Sequence, residues 1–248
     1  MTSEEKFTFD LEGYLIIKNV LSTDEVAEMN EIADCVFPPE GDDTRYRRTS
    51  RVSHWGKPFT NLIDHPKVMP YLIELMGPKV RLDHDYCIFM TEGGQSGRLH
   101  GGPEVVGDHW YKYWDGVMRN GLSVITYFLT DAAEGDGGFA CVPGSHKTNF
   151  LSSLPDDIRN YERPAHYVVQ PAVEAGDALF FTEALIHGTM PWRAKHERRS
   201  LLYKYSPGHS AWSDNYYDLD EFNNLTEQQQ RMLMPPSIGS RPDVVQED

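Results

Sequence analysis

Short segments rich in β-branched and aromatic residues follow one another between residues 80 and 205, separated by glycine, proline and polar turns. This spacing predicts a sandwich or a jelly roll. The segments span residues 80–90, 98–100, 122–130, 139–142, 167–170, 178–181 and 201–205. Several of them, such as VITYFL and ALFF, are apolar on both faces, which is typical of barrel walls that helices cover on the outside.

The N-terminal part of the chain predicts helices that flank this β-rich part. A capping box that begins at Ser22 opens a helix to about residue 34, after a strand over residues 14–18. A second helix is expected over residues 67–76. A basic loop over residues 45–51 is expected between the two helices. The predicted fold class is therefore mainly β with flanking helices, arranged as a double-stranded jelly roll.

The C-terminal part predicts one more helix over residues 226–233 and an irregular tail over residues 235–248. No Pro-, Gly- or Ser-rich linker divides the chain, so a single domain over residues 1–248 is expected. A chain of 248 residues is an ordinary length for one β-barrel domain.

Charge and hydropathy limit the classes of partner. The formal net charge of −15 repels phosphate backbones and anionic lipid surfaces, so neither nucleic acid nor a membrane is expected as a partner. No apolar run approaches the roughly 20 residues of a transmembrane helix, and the first residues lack the pattern of a secretory signal. A cytoplasmic protein that acts on a small molecule is expected, and nothing in the sequence indicates its oligomeric state.

Two of the ten histidines stand out because of their context. His187 follows a turn and a buried strand, and it begins a second strand that presents its imidazole. His100 ends a short strand before two glycines, which allow the backbone to approach whatever the imidazole contacts. Arg198 and Ser200 are two residues apart, so in a strand they present a cation and a hydroxyl on one face. Such a pair is suited to bind a carboxylate.

Four blocks of the chain resemble, in the same order, the phytanoyl-CoA dioxygenase-like (PhyH) branch of the non-haem Fe(II)/2-oxoglutarate-dependent oxygenases. The blocks are EGYLIIKNVLS at 12–22, VPGSH at 142–146, GDALFF at 176–181 and the spacing from His187 to Ser200. The resemblance covers about residues 7–210. It implies a jelly roll with Fe(II), 2-oxoglutarate and O2 as cofactors and reactants, and oxidation of a small organic substrate.

The resemblance also implies roles for individual residues. The implied iron ligands are His100 and His187. The implied contacts to 2-oxoglutarate are Arg198 and Ser200, which would hold its distal carboxylate, with Tyr86 and Thr126 as further contacts.

One position departs from the family's pattern. The family's first ligand motif is His-x-Asp, but this chain has His100-Gly-Gly102, so the carboxylate of the facial triad is missing. The pattern is similar to that of radical halogenases in the same superfamily, in which a halide binds the metal where the carboxylate is absent. Chloride at Gly102 would then make the protein a halogenase. Alternatively, water fills the space and oxygenation proceeds, Glu104 supplies the carboxylate through a sharp turn, or the site holds little iron.

Two further groups carry functional hypotheses. Trp110, Tyr113 and Trp114 belong to an aromatic hairpin that forms either a lid over the iron or an ordinary packed edge. Arg48 and Arg51, in the basic segment, either contact an anionic group of the substrate or belong to a solvated loop. A jelly roll that binds a small ligand without turnover is the alternative from another functional class.

Overall fold

Two antiparallel sheets face each other in the computed structural model, which describes residues 1–39, 41, 44–103 and 107–246. The strands are β1 Tyr14–Ile17, β2 Tyr46–Ser50, β3 Arg81–Met90, β4 Ser96–His100, β5 Tyr111–Trp114, β6 Val117–Asn120, β7 Ser123–Phe128, β8 Gly138–Cys141, β9 Ala178–Thr182, β10 His187–Met190 and β11 Arg198–Ser206. The helices are α1 Ser3–Glu12, α2 Thr23–Val36, α3 Lys57–Thr60, α4 Met69–Met76, α5 Asp156–Arg159 and α6 Glu227–Leu233.

The larger sheet has the strand order β1-β9-β7-β11-β3-β2, and the smaller sheet has the order β4-β10-β8. A separate hairpin joins β5 to β6. All strand pairs among the described residues are antiparallel. The mainly β class with flanking helices agrees with the prediction. None of the helices in the described ranges combines the length and the apolar composition needed to cross a membrane.

Side-chain alternation along the larger sheet separates two apolar clusters. On β11, Leu201, Tyr203 and Tyr205 point outward into a cluster that also contains the buried faces of α2 and α4. Leu202 points the other way, into the cluster between the two sheets. Because successive side chains of a strand lie on opposite faces, one apolar strand serves both clusters. The double burial explains why these strands are apolar on both faces.

Two expectations for single elements were wrong. The basic segment at 45–51 is not a loop, because Tyr46–Ser50 forms the edge strand β2 against β3. Arg47 is buried there, with its guanidinium over the ring of Phe89, and it forms an ion pair with Glu197 at 2.7 Å. Residues 167–170 do not form a strand. An isolated β-bridge joins Val169 of this segment to Cys141.

The first helix is an element that sequence reasoning missed. Thr2 and Glu5 form a capping box that starts α1, and Gly13 ends the helix in the left-handed conformation. Phe9 is fully buried and stacks on Phe180 of β9 at 5.4 Å between ring centroids. Most residues of α1 are polar, and Phe9 is its buried residue, so the sequence pattern did not predict a helix that packs on the sheet.

The C-terminal segment has no regular secondary structure between residues 235 and 246, but it is firmly packed. Arg241 is only 2% exposed, and its guanidinium donates hydrogen bonds to several backbone carbonyls. The acceptors include the carbonyls of Lys79, Met234, Pro235 and Arg231. The segment therefore holds α6 against the start of β3.

His146 connects the turn after β8 to α1. Its ring is 1% exposed, packs edge-on against Tyr111 and donates from Nε2 to the carbonyl of Asp10 at 3.1 Å. Burial is the largest cause that lowers the pKa of His146 to about 4, and Lys147 lowers it further. These contacts give His146 a structural role.

This depressed pKa predicts a loss of stability in mild acid. The unfolded chain binds a proton at His146 near pH 6.5 and the folded chain does not, so the contribution is complete above that pH and is lost as the pH falls toward 4. His146→Gln keeps a donor toward Asp10 but does not titrate. We expect the wild type to lose about 2 kcal/mol more free energy of unfolding than His146→Gln between about pH 7.5 and about pH 5. Urea unfolding at both pH values measures this, and equal losses would contradict the assignment.

Candidate active site

His100 and His187 face each other across the antiparallel pair of β4 and β10. They are directly paired in the register, and their ring centroids are 4.4 Å apart. The Nδ1 atom of each ring lies 2.8 Å from a backbone carbonyl two residues earlier, that of Arg98 and that of Leu185. Because a carbonyl can only accept, each Nδ1 carries the proton and each Nε2 keeps a free lone pair. Two such nitrogens on one side of a sheet suit a metal ion.

His187 lies inside the protein and His100 lies at its surface. His187 is 6% exposed and packs against Phe181 and Phe139. Burial is the largest cause that lowers the pKa of His187 to about 4, so the imidazole is neutral at pH 7. His100 is exposed, so the space between the two rings opens to solvent on its side.

A cavity between the two sheets brings together both predicted metal ligands and most of the predicted contacts to 2-oxoglutarate. We call it the histidine cavity. The predicted residues that line it are His100, His187, Arg198, Thr126, Tyr86 and Arg48. They come from both sheets, so the fold itself brings them together.

Arg198 is a buried cation in this cavity. Its side chain is 3% exposed, its Nε has no hydrogen-bond partner, and its Nη1 contacts only the sulfur of Met90 at 3.9 Å. Burial lowers the pKa of Arg198 to about 10, so it remains charged at pH 7. Thr126 lines the same cavity, and its buried Oγ1 also lacks a partner. A buried cation and a hydroxyl that both lack partners fit an anionic ligand with several acceptor atoms.

Ser200 is two residues from Arg198 on β11, but its hydroxyl already has a partner. It is fully buried and donates to the carbonyl of Ile88 at 3.2 Å. It is not among the residues that line the histidine cavity. Nε of Arg198 and Oγ1 of Thr126 are therefore buried atoms of the described cavity wall that lack a hydrogen-bond partner, whereas the Ser200 hydroxyl has one.

Glu183 and Lys204 form a buried ion pair beside the histidines that sequence reasoning missed. Glu183 is 3% exposed, and its Oε1 lies 2.7 Å from Nζ of Lys204. Its Oε2 lies 3.6 Å from Nε2 of His187 and 3.9 Å from Nε2 of His109. Burial raises the pKa of Glu183, but Lys204 and then His187 lower it more, so the pKa stays well below its usual range. The signal that could have found Glu183 is its spacing, two residues after the inward Phe181 and four before His187.

The two glycines after His100 lie against the backbone that carries Glu183. The amide of Gly102 donates to the carbonyl of Glu183 at 3.3 Å. Gly102 has φ +107°, and a Cβ added there would lie 2.6 Å from Cδ1 of Leu151. Leu151 therefore occupies the space that a side chain at Gly102 would enter. Glu104, the other carboxylate considered for the metal, lies outside the described residues.

The aromatic hairpin lies away from the histidine cavity. Tyr113 is 67% exposed and Trp114 is 77% exposed, and neither they nor Trp110 line the cavity. The hairpin is attached to α4, where Arg119 donates to the carbonyl of Glu74 at 2.9 Å. In this structure the hairpin therefore contacts α4 and does not line the histidine cavity.

The two arginines of the basic segment have different surroundings. Arg48 is exposed at the histidine cavity, and its guanidinium lies 4.0 Å from the ring centroid of Tyr86. Arg51 lies in a neighbouring depression and forms an ion pair with Glu221 at 2.5 Å. Only Arg48 of this pair is placed to contact a molecule in the histidine cavity.

Gly101 gives a test of the close approach beside the histidines. Its φ is +79°, and an added Cβ would lie 2.7 Å from the carbonyl oxygen of Leu185 and 2.8 Å from that of Glu183. Gly116 in the hairpin turn has the same φ but open space around it, so it is a matched control. We expect Gly101→Ala to cost about 1–3 kcal/mol more free energy of unfolding than Gly116→Ala, because only the former forces two backbones apart. Equal costs in chemical denaturation would show that the segment can move aside.

Comparisons with known proteins agree with this architecture. A family model described as phytanoyl-CoA dioxygenase (PhyH) matches residues 9–200. The dioxygenase olcK of Penicillium canescens is 23% identical over 244 residues, which cover 90% of this chain and 76% of that protein.

Solved structures share the fold at low sequence identity. HygX from Streptomyces hygroscopicus, in a crystal structure with nickel and 2-oxoglutarate bound, has a TM-score of 0.75 at 22% identity, covering 89% of this chain and 91% of that one. AviO1 from Streptomyces viridochromogenes Tue57 has a TM-score of 0.59 at 19% identity, covering 81% and 92%. This likeness confirms the predicted jelly roll. Because the family model spans most of the chain, the protein belongs to the phytanoyl-CoA dioxygenase (PhyH) family.

Proposed function

We propose that this protein is an Fe(II)- and 2-oxoglutarate-dependent oxygenase that hydroxylates, or oxygenates in a related way, a C–H bond of a small organic molecule. The observation that carries the proposal is Arg198, a buried guanidinium with an unpartnered Nε in the same cavity as two histidines with free Nε2 atoms. A dicarboxylate would satisfy both features if one carboxylate paired with Arg198 and the other end chelated a metal held by the two histidines. The family supports the same conclusion.

The residues of this chain would divide the binding of 2-oxoglutarate between them. Arg198 would hold the distal carboxylate through charge-assisted hydrogen bonds, and Thr126 would donate from the Oγ1 that lacks a partner. Tyr86 lines the same wall. Ser200 would contribute after releasing the carbonyl of Ile88, or would hold the strand beside Arg198.

The two histidines fit a divalent metal through their Nε2 atoms, since both rings are fixed through Nδ1. When bound together, Fe(II), 2-oxoglutarate and O2 supply the oxidising chemistry, with 2-oxoglutarate converted to succinate and CO2. The chain contributes orientation and the exclusion of water. Water is excluded by the apolar side chains that line the cavity around His187, namely Phe139, Phe181 and Leu202.

Oxygenation is proposed over halogenation because of Gly102. A halide site there would need open space, but the direction of the missing side chain runs into Leu151. A small-molecule substrate is supported by HygX, which has been crystallised with hygromycin B as well as nickel and 2-oxoglutarate. Arg48, exposed at the cavity, would contact an anionic group of such a substrate.

The proposal is tested by visible spectroscopy without oxygen. Adding Fe(II) and 2-oxoglutarate to the purified protein should produce a metal-to-ligand charge-transfer band, and admission of O2 should release succinate. Chloride should cause no saturable shift of the band compared with a non-coordinating anion at equal ionic strength. A saturable shift would favour the halogenase instead. Absence of iron uptake, band and succinate would favour a jelly roll that binds without turnover.

The role of Arg198 is tested by charge removal at neighbouring positions. We expect Arg198→Gln to raise the 2-oxoglutarate dissociation constant at least about tenfold, since a charge-assisted hydrogen bond contributes about 1.5–3 kcal/mol. Arg199→Gln is the matched control, because Arg199 points outward and forms ion pairs with Asp34 and Glu197. Titration with 2-oxoglutarate in the presence of Fe(II) without oxygen measures both. An unchanged dissociation constant for Arg198→Gln would remove it from the co-substrate site.

A further inference from the structure

We propose that Glu183 supplies the carboxylate ligand that the His100-Gly-Gly102 segment lacks, so that the metal is held by His100, His187 and Glu183. The inference rests on the proposed function, because it concerns the same metal. It assigns to a different segment of the chain the ligand that His-x-Asp provides elsewhere in the family.

The ion pair with Lys204 shows that Glu183 points into the fold. Glu183 lies in the turn directly after β9, two residues after Phe181, which contacts His187, and its carboxylate meets Lys204 of β11 at 2.7 Å. Four residues later the chain reaches His187 itself. A turn of this length brings the carboxylate and the imidazole of one segment to the same place.

The distance between Glu183 and His187 is close to that of two ligands on one ion. Oxygen and nitrogen ligands lie about 2.0–2.2 Å from a first-row metal, so two of them at right angles are about 3 Å apart. Oε2 of Glu183 is 3.6 Å from Nε2 of His187. Within the described ranges, no three His, Cys, Asp or Glu side chains already converge as a complete metal site. A small rotation about the side-chain torsions of Glu183 would bring Oε2 toward an ion held by the two histidines and complete the ligand set.

Lys204 prepares the carboxylate for this role. It lies 2.7 Å from Oε1, so the lysine and the carboxylate are paired inside the protein, where Glu183 is only 3% exposed. Oε2 is the oxygen that faces His187. A carboxylate that binds a metal through one oxygen commonly has its other oxygen held by a second group, which fixes its orientation.

The glycines after His100 explain why the carboxylate comes from elsewhere. A side chain at Gly102 would run into Leu151, and one at Gly101 would run into the carbonyls of Glu183 and Leu185. The two glycines after His100 therefore pack closely against the turn that contains Glu183. The close approach of these two backbones sets Glu183 against the segment that follows His100, and its carboxylate lies 3.6 Å from Nε2 of His187.

Cobalt binding tests the assignment with a readout other than activity. Co(II) is titrated into the metal-free protein by calorimetry, and its visible absorption reports the ligand set. We expect Glu183→Gln to raise the Co(II) dissociation constant at least about tenfold and to change the cobalt spectrum. The double variant Glu183→Gln with Lys204→Met should behave likewise, and it leaves no unpaired buried lysine that could disturb folding.

Two controls separate a ligand from a structural ion pair. Lys204→Met alone should weaken Co(II) binding less than Glu183→Gln does, because it removes the group that orients the carboxylate but retains the ligand itself. Asp177→Asn removes another buried carboxylate, 1% exposed and paired with Lys18 at 2.6 Å, and should not affect Co(II). Melting temperatures of the metal-free variants show that each is folded.

The outcomes distinguish the inference from the function on which it rests. Wild-type affinity in both Glu183 variants, with Co(II) binding lost in His100→Ala and His187→Ala, would overturn the role of Glu183 and leave the oxygenase proposal standing. The inference would also fail if Lys204→Met lost affinity as Glu183→Gln does and the double variant regained it, because the pair would then be structural. A wild-type protein that binds no Co(II) would overturn both.

Discussion

The antiparallel pairing of β4 with β10 is the constraint on which the site depends. It sets His100 directly opposite His187 and leaves both Nε2 atoms free. A shift of the register by one residue would turn one ring to the other face of the sheet. β8 pairs with β10 on its other side, in a register that places Cys141 opposite His187. The relative position of the two histidines is thus fixed by backbone hydrogen bonds on both sides of one short strand.

The larger sheet supplies the rest of the site because its strands pack against the helices with one face and carry polar groups into the fold on the other. On β11, Leu201 and Tyr203 face the helices, whereas Arg198 and Lys204 belong to the polar groups inside the fold. Burial of the outward aromatic residues stabilises the sheet, and that stability offsets the cost of keeping charges in its interior. The helical layer is therefore a condition for the chemistry even though it does not touch the cavity.

How far the sequence predicts this structure differs between local and long-range features. The strands, the capped helices and the meeting of His100, His187, Arg198 and Thr126 in one cavity follow from alternation, capping signals and the family's motifs. The edge strand β2 did not follow, because its pairing depends on β3 and its arginines resemble a solvated loop. Arg47 shows why, since its charge is satisfied by Glu197, a residue 150 positions away.

The ion pair of Glu183 and Lys204 was missed for a related reason. Each is the single charged residue in an otherwise apolar stretch, and the alternation of its strand does place it inward. What the sequence does not contain is the register that brings β9 and β11 to opposite sides of β7 with the two charges at 2.7 Å. The sequence also did not predict the position of the aromatic hairpin, because the hairpin is attached to α4 through a hydrogen bond to the backbone carbonyl of Glu74.

The unpartnered guanidinium of Arg198 has a consequence for the life of the protein in a cell. A buried charge without a counter-ion lowers the stability of the folded chain, and a bound dianion reverses that loss. A ligand that binds only the folded state stabilises it in proportion to the logarithm of its concentration. If Arg198 binds a dianion as proposed, the stability of the folded chain would therefore rise and fall with the supply of that anion.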